Sequence, residues 1–241
     1  MGDLKKKQPQ SLIEKAWSMF FKKNYEGSGE VFTEVFEKDN VNDALYGRAC
    51  ACFKLQEYEN ALEDLNMFLK KDPKSYKGFH LRGLVKGSLN KPGKALSDLE
   101  KTVELNPDYA DGYYDMGGCY LILKDYQNAY DCFERSLSRN NSSSEAWFGK
   151  GMASLLKKEY NKAIEYFTIA IKLDKKLVLA ILGRCEAFSA MGKMKEAHKE
   201  WNRAKKLDSS ISELNNKTQG DQNDDRDFDD EQEIEDFSFD D

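Results

Sequence analysis

The chain has 241 residues, 40% apolar and 33% charged, with a net charge of −6. That is enough for one large domain, two small ones or an array, and is rather polar for a compact globule. No apolar run approaches eighteen residues, which excludes a membrane-spanning helix. The charge is also uneven: residues 212–241 hold thirteen acids against two bases, Lys217 and Arg226, leaving the remainder at +5, far from the strongly basic face of a nucleic-acid binder.

Residues 1–8 carry lysines with no apolar segment behind them, so they read as a flexible N-terminus and not a signal peptide. Gly2 lacks the Ser or Thr that a myristoylation motif requires, because Lys6 stands there. Five cysteines without a secretory signal point to free thiols in a reducing compartment, the cytoplasm or the nucleus.

From residue 9 onward one register dominates. A small residue recurs every thirty-four positions as Ala61, Ala95, Ala129, Ala163 and Ala197. Four residues after each comes a large one: Leu65, Leu99, Phe133, Phe167 and Trp201. Earlier in each unit a second small residue repeats as Ala49, Gly83, Gly117, Gly151 and Cys185. Each unit has two stretches of helical periodicity around a short polar break, which predicts a helical hairpin with the small residues at the crossing. Pro73 and Pro107 close two of the units.

In chain order the predicted units span about 9–41, 42–75, 76–109, 110–143, 144–177 and 178–211. The first fits through Ala16, Tyr25, Ser28, Phe32 and Val35 if one residue is missing at its end, and Gly27 and Gly29 weaken its second helix. The second contains Cys50 and Cys52, which point about 200° apart on one helix and read as core filler, not as a metal or redox pair. The unit 76–109 departs most, with Lys86 and Thr102 at otherwise apolar or small places, Pro92 for tyrosine, and Gly83, Gly87 and Gly93. It is expected to be the weakest internal link. After the sixth unit, "SISE" at 210–213 fits a capping box and predicts a short helix over 210–217 that covers the end of the array. Residues 218–241 form an acidic tail, expected to be disordered, punctuated by Phe228, Ile234, Phe237 and Phe239. Ser238 ahead of Asp240 and Asp241 is a weak acidophilic phosphorylation site.

Two side-chain patterns stand out. Arg48, Arg82 and Arg184 on first helices are each followed sixteen residues later by an acid, Asp64, Asp98 and Glu200. Lys150 meets Tyr166 at that offset, and the remaining unit has uncharged Met116 and Cys132. This covariation predicts structural ion pairs across the hairpins, ahead of a role in reading an acidic ligand. No constellation for catalysis is visible: the two histidines, His80 and His198, are far apart, "GKGM" at Gly149 lacks P-loop spacing, and no Cys/His cluster has zinc spacing. The expectation is a protein without enzymatic activity, cofactor or metal.

In these residues the chain resembles the tetratricopeptide-repeat family over residues 9 to about 210. The resemblance implies an all-α, right-handed solenoid of stacked hairpins, whose first helices line a concave groove for a peptide or partner segment. One face position gives Tyr46, His80, Tyr114 and Phe148, with Gly47 and Gly149 beside them leaving room for a backbone. Asp43, Asp111, Asp115 and Glu145 stand on the rim. Such a groove suits a protein segment with apolar side chains and some basic character. The alternative is that the rings merely pack on neighbouring units. The Lys and Asn set with which some family members clamp acidic chaperone tails is missing in every register. The reading is therefore a scaffold or adaptor, with a chaperone-type binder of basic clients, or a regulatory subunit of an enzyme complex, as alternatives.

Overall fold

The computed structural model describes residues 9–208, whose regular structure is entirely helical. Among the described residues twelve helices follow in pairs: α1 Pro9–Phe21 and α2 Tyr25–Asp39, α3 Asn42–Lys54 and α4 Tyr58–Lys71, α5 Tyr76–Ser88 and α6 Pro92–Leu105, α7 Ala110–Ile122 and α8 Tyr126–Leu137, α9 Ser144–Leu156 and α10 Tyr160–Leu173, and α11 Val178–Ala190 and α12 Met194–Leu207. The expected flexible N-terminus, the 210–217 helix, the acidic tail and Ser238 lie outside the described residues.

Local chemistry sets the boundaries. Pro92 is the first residue of α6, where its missing N–H costs nothing. Asn24, Ser75, Asp125 and Ser143 cap the helices that follow them by accepting the backbone N–H three residues on. Each hairpin turns through one left-handed residue, Lys23, Gln56, Asn90, Lys124, Lys158 or Gly192, with φ between 55° and 73°. Only Gly192 adopts that conformation without steric cost.

The packing is linear. Every helix packs on its neighbours in sequence, and the odd-numbered helices also pack backbone-close on one another in series, α1 to α3 through α9 to α11; even-numbered helices meet only through long side chains among the described residues, as where the Tyr130 hydroxyl on α8 lies 2.9 Å from that of Tyr166 on α10. The first helices are therefore the tightly curved inner layer and the second helices the splayed outer one. The large residue of each second helix from α2 to α10, Phe32, Leu65, Leu99, Phe133 or Phe167, is buried where the hairpin meets the next one. The Phe133 ring lies between Gly117 and Gly149, where an added Cβ would come within 2.8 Å and 2.5 Å of it. Phe167 lies likewise between Gly151 and Gly183, and Phe32 against Gly47.

The departures in the third hairpin have separate outcomes. Lys86 is not a flaw: its ammonium pairs with buried Asp98, beside Arg82. Thr102 donates to the Asp98 carbonyl at 2.9 Å, which satisfies its buried hydroxyl. Gly87 and Gly93, by contrast, have open space where a Cβ would stand. Gly87→Ala is expected to stabilise the array by roughly 1 kcal/mol, read as a rise in the urea midpoint.

Candidate functional site

The inner face is built from residues at positions two, five, nine and thirteen of each first helix, which fall within one stripe of about 100°. Two recesses open on it among the described residues. The first, about 420 Å³ between α1, α3 and α5, is walled by Trp17, Tyr46 and Phe68 and edged by Glu14, Asp43 and Asp72, with Lys77 opposite. The second, about 300 Å³ between α5, α7 and α9, has Leu84 and Tyr114 in its wall and Asp111, Asp115 and Glu145 around them.

The aromatic residues on this face are half-buried. Tyr46 lies 5.4 Å from the Phe68 ring and 6.3 Å from Trp17. Tyr114 meets Phe133 edge-on at 5.8 Å, and Phe148 meets Phe167 at 5.9 Å. Each ring thus packs on a neighbour with one side and keeps part of its surface in the groove. Burial raises the Tyr114 phenol pKa first, and the Asp115 and Glu145 charges raise it further, a sign of the negative field in the second recess. Burial, then Asp111 and Asp115, push Tyr109 up to about 12.

Two of the expected groove residues require correction. Gly47 and Gly149 are buried and face the preceding hairpin: a Cβ on either would strike Phe32 at 2.3 Å or Phe133 at 2.5 Å. They accommodate a ring from within the protein and leave no room for a ligand backbone. His80 and Asp115 both line the second recess and are joined to each other, with His80 Nε2 2.7 Å from Asp115 Oδ2 and the Tyr109 hydroxyl 3.2 Å from Nδ1. This network stands at the edge of the second recess. Asp43, Asp111 and Glu145 remain exposed.

Residues not singled out in the sequence extend the apolar surface. Ile122 is 62% exposed, and Leu156, thirty-four residues on, is 40% exposed. Both lie at the thirteenth position of a first helix, on the side of Tyr114 and Phe148. Phe21 occupies the same place in the first hairpin and is 77% exposed, stacked on Trp17. Continuing the helical stripe by one turn beyond Gly118 and Met152 would have found them.

The arginines lie on the other side of the first helices. Arg48 grips Asp64 through two nitrogens at 2.8 Å and 2.6 Å, and Arg82 grips Asp98 at 2.8 Å and 2.7 Å. Arg184 meets Glu200 through one nitrogen at 2.7 Å. Each also reaches the second helix of the preceding hairpin: Arg48 donates to Thr33, Arg82 to Asn66 and Arg184 to Thr168. Lys150 follows the same geometry, 3.4 Å from Glu134 of the preceding hairpin and enclosed by the rings of Tyr130, Trp147 and Tyr166. Wherever this position holds a cation, at Arg48, Arg82, Lys150 and Arg184, it ties its hairpin to the one before through an acceptor that the sequence reading missed.

Burial is the main reason that the thiol pKa of Cys50 is pushed up to about 12 and those of Cys52, Cys119 and Cys132 to about 11. These thiols stay protonated in the folded protein after those of the unfolded chain have ionised. The unfolded state then binds fewer protons, and stability falls as pH rises from about 9 toward 11. Cys→Ser substitution at Cys132 is expected to flatten that decline, read as melting temperature against pH. No group of described residues has the His, Cys, Asp or Glu arrangement of a metal site.

The family model of the Fis1 C-terminal tetratricopeptide repeat matches residues 42–93, and tetratricopeptide-repeat models match 110–143 and 144–177. No curated protein matches the chain by sequence. Among solved structures, PilF of Pseudomonas aeruginosa superposes with a TM-score of 0.74 at 17% identity, over 87% of this chain and 97% of that one. A tetratricopeptide repeat protein from Parabacteroides merdae gives 0.70 at 19% identity, over 86% and 87%. YrrB, described as a TPR protein with an unusual peptide-binding site, gives 0.64 at 19% identity, over 78% and 99%.

Proposed function

We propose that this chain, which belongs to the tetratricopeptide-repeat family, is a non-enzymatic scaffold that holds a partner segment along its inner face. The carrying observation is the pairing of open aromatic surface with carboxylates in both recesses: Tyr46 with Asp43 and Asp72, and Tyr114 with Asp111 and Glu145. Among the described residues that line the two recesses, Lys77 is the one Lys or Arg. A segment that alternates apolar side chains with Lys or Arg would bury the former on the rings and neutralise the latter on the rim. The five unpaired cysteines fit a reducing compartment, the cytoplasm or nucleus.

A peptide library ranked by charge and hydrophobicity, read by calorimetry, tests this. The best binders should combine Phe or Leu with Lys or Arg. Tyr114→Ala should weaken them about tenfold or more, the equivalent of roughly 1.4 kcal/mol. Asp111→Asn should mainly slow association and reduce the salt dependence. Affinities indifferent to both substitutions would refute the groove as the binding surface. Strong, salt-sensitive binding of many unrelated basic proteins would favour the client-binding alternative.

A further inference from the structure

One register position on the second helices is filled at every hairpin junction but the first. The fifth residue of α4, α6, α8 and α10 is Leu62, Leu96, Tyr130 and Ile164. Each belongs to the same apolar cluster as the tenth residue of the next first helix: Val85, Cys119, Ala153 and Ala187 in turn. In α2 the fifth residue is Gly29, and the residue opposite is Ala51. A Cβ on Gly29 would meet the Ala51 methyl at an ordinary 3.7 Å. The missing side chain opens a channel of about 500 Å³ between α2 and α4, with α3 as its floor, larger than either inner recess.

The floor is apolar, with Gly29, Ala51 and Leu55 in it, and Met67, 40% exposed, also lines the channel. The walls are acidic: Glu26 and Glu30 stand on α2, Glu57 and Glu63 on the side of α4. All four are exposed, and none belongs to an ion pair among the described residues. Asp64 lines the channel too, but Arg48, the one Lys or Arg in the lining, already holds it through two nitrogens. Four like charges thus surround a vacant apolar position. A neutral apolar ligand would take the floor and leave those carboxylates desolvated, and an anion would be repelled. A cationic one gains on both counts.

We propose that this outer channel is a second docking site, for a basic protein segment. The segment seats one large apolar side chain over Gly29, where the other hairpins supply their own, and sets Lys or Arg against Glu26, Glu30, Glu57 and Glu63. The channel opens between second helices, so the proposal does not rest on what the inner face binds.

The test titrates the chain with the peptide Lys-Lys-Leu-Lys-Lys at low salt and follows amide resonances. Those of Gly29, Ala51 and Leu55 should shift and saturate, and Lys-Lys-Ser-Lys-Lys should bind there about tenfold more weakly. Near 1 M salt, where the screening length falls to about 3 Å, the leucine peptide should also bind at least about tenfold more weakly. Gly29→Leu supplies from within the side chain that the channel lacks. The variant has room for it, and should lower affinity at Ala51 and Leu55 about tenfold or more. Tyr114→Ala should leave that affinity unchanged. Shifts confined to Tyr46, Tyr114 and Phe148 overturn this proposal and leave the inner-face reading standing; shifts at Ala51 and Leu55 that persist in Gly29→Leu also overturn it. So do shifts there that grow with protein concentration in the absence of peptide, which would mark a second copy as the occupant. If Gly29→Leu fails to fold, Glu30→Lys with Glu63→Lys decides the matter at two exposed positions: about tenfold weaker binding at Ala51 supports the proposal, and equal binding overturns it.

Discussion

Arg48→Met is expected to lower the unfolding free energy toward the lower end of the about 3–5 kcal/mol typical of breaking a buried ion pair. The Asp64 side chain is 5% exposed and has no other cationic partner among the described ion pairs, so its carboxylate would be left buried and uncompensated. Arg48 itself is 25% exposed, which moderates the cost. Arg82→Met should cost less although its geometry is as good, because Lys86 still holds Asp98. Asp64→Asn should cost a comparable amount to Arg48→Met, and the double variant should lose less than the sum, with a coupling of about 1–3 kcal/mol. Urea unfolding of the three variants and of Arg82→Met gives all four numbers. Fully additive losses at Arg48 and Asp64, or a larger loss at Arg82 than at Arg48, would refute the pairing as the source of stability.

Those pairs were legible because repetition supplies its own control. The recurrence of an arginine with an acid sixteen residues later, and the joint loss of both at Met116 and Cys132, fixes the partner without a structure. The preceding hairpin's acceptors, Thr33, Asn66 and Thr168, were not legible, because Thr and Asn on a helix surface give no distinctive signal. The hairpins themselves were readable from Ala61 and its equivalents, since a small residue is required wherever two helices cross closely. The left-handed turn was not: Gln56, Lys124 and Lys158 adopt it without any residue preference that announces it, and only Asn90 and Gly192 conform to expectation.

The inner face divides in the same way. Tyr46, Tyr114 and Phe148 could be placed by register alone, since a helical stripe follows from spacing. Gly47 and Gly149 could not be assigned correctly from their own helix, because the ring that needs them arrives from the hairpin before. Lys86 looked like a defect in a hydrophobic position, yet its partner Asp98 stands twelve residues away on the other helix of the hairpin. Contacts within one helix are set by spacing, whereas contacts between helices depend on which side chain fills the space, and that information is distributed over two units.

Gly149→Ala puts this last point to a test. The Phe133 ring is held on both sides, with the positions of Gly117 and Gly149 each within 2.8 Å of it. A methyl group at residue 149 cannot be relieved by moving the ring toward α7, because Gly117 already closes that side. The overpacking is expected to cost about 1–3 kcal/mol. Phe133→Leu alone should also destabilise, by loss of buried surface. The two together should lose less than their sum, because a leucine is what the array uses one hairpin earlier, where Leu99 sits 3.0 Å from the Cβ position of Gly83. Denaturant unfolding measures the stabilities, and calorimetry with a groove-binding peptide measures affinity on the same variants. If Gly149 instead opened to the groove, the alanine would raise stability by roughly 1 kcal/mol, as expected at Gly87, weaken the peptide, and show no coupling to residue 133. Each of those three results contradicts a glycine that exists to receive a ring.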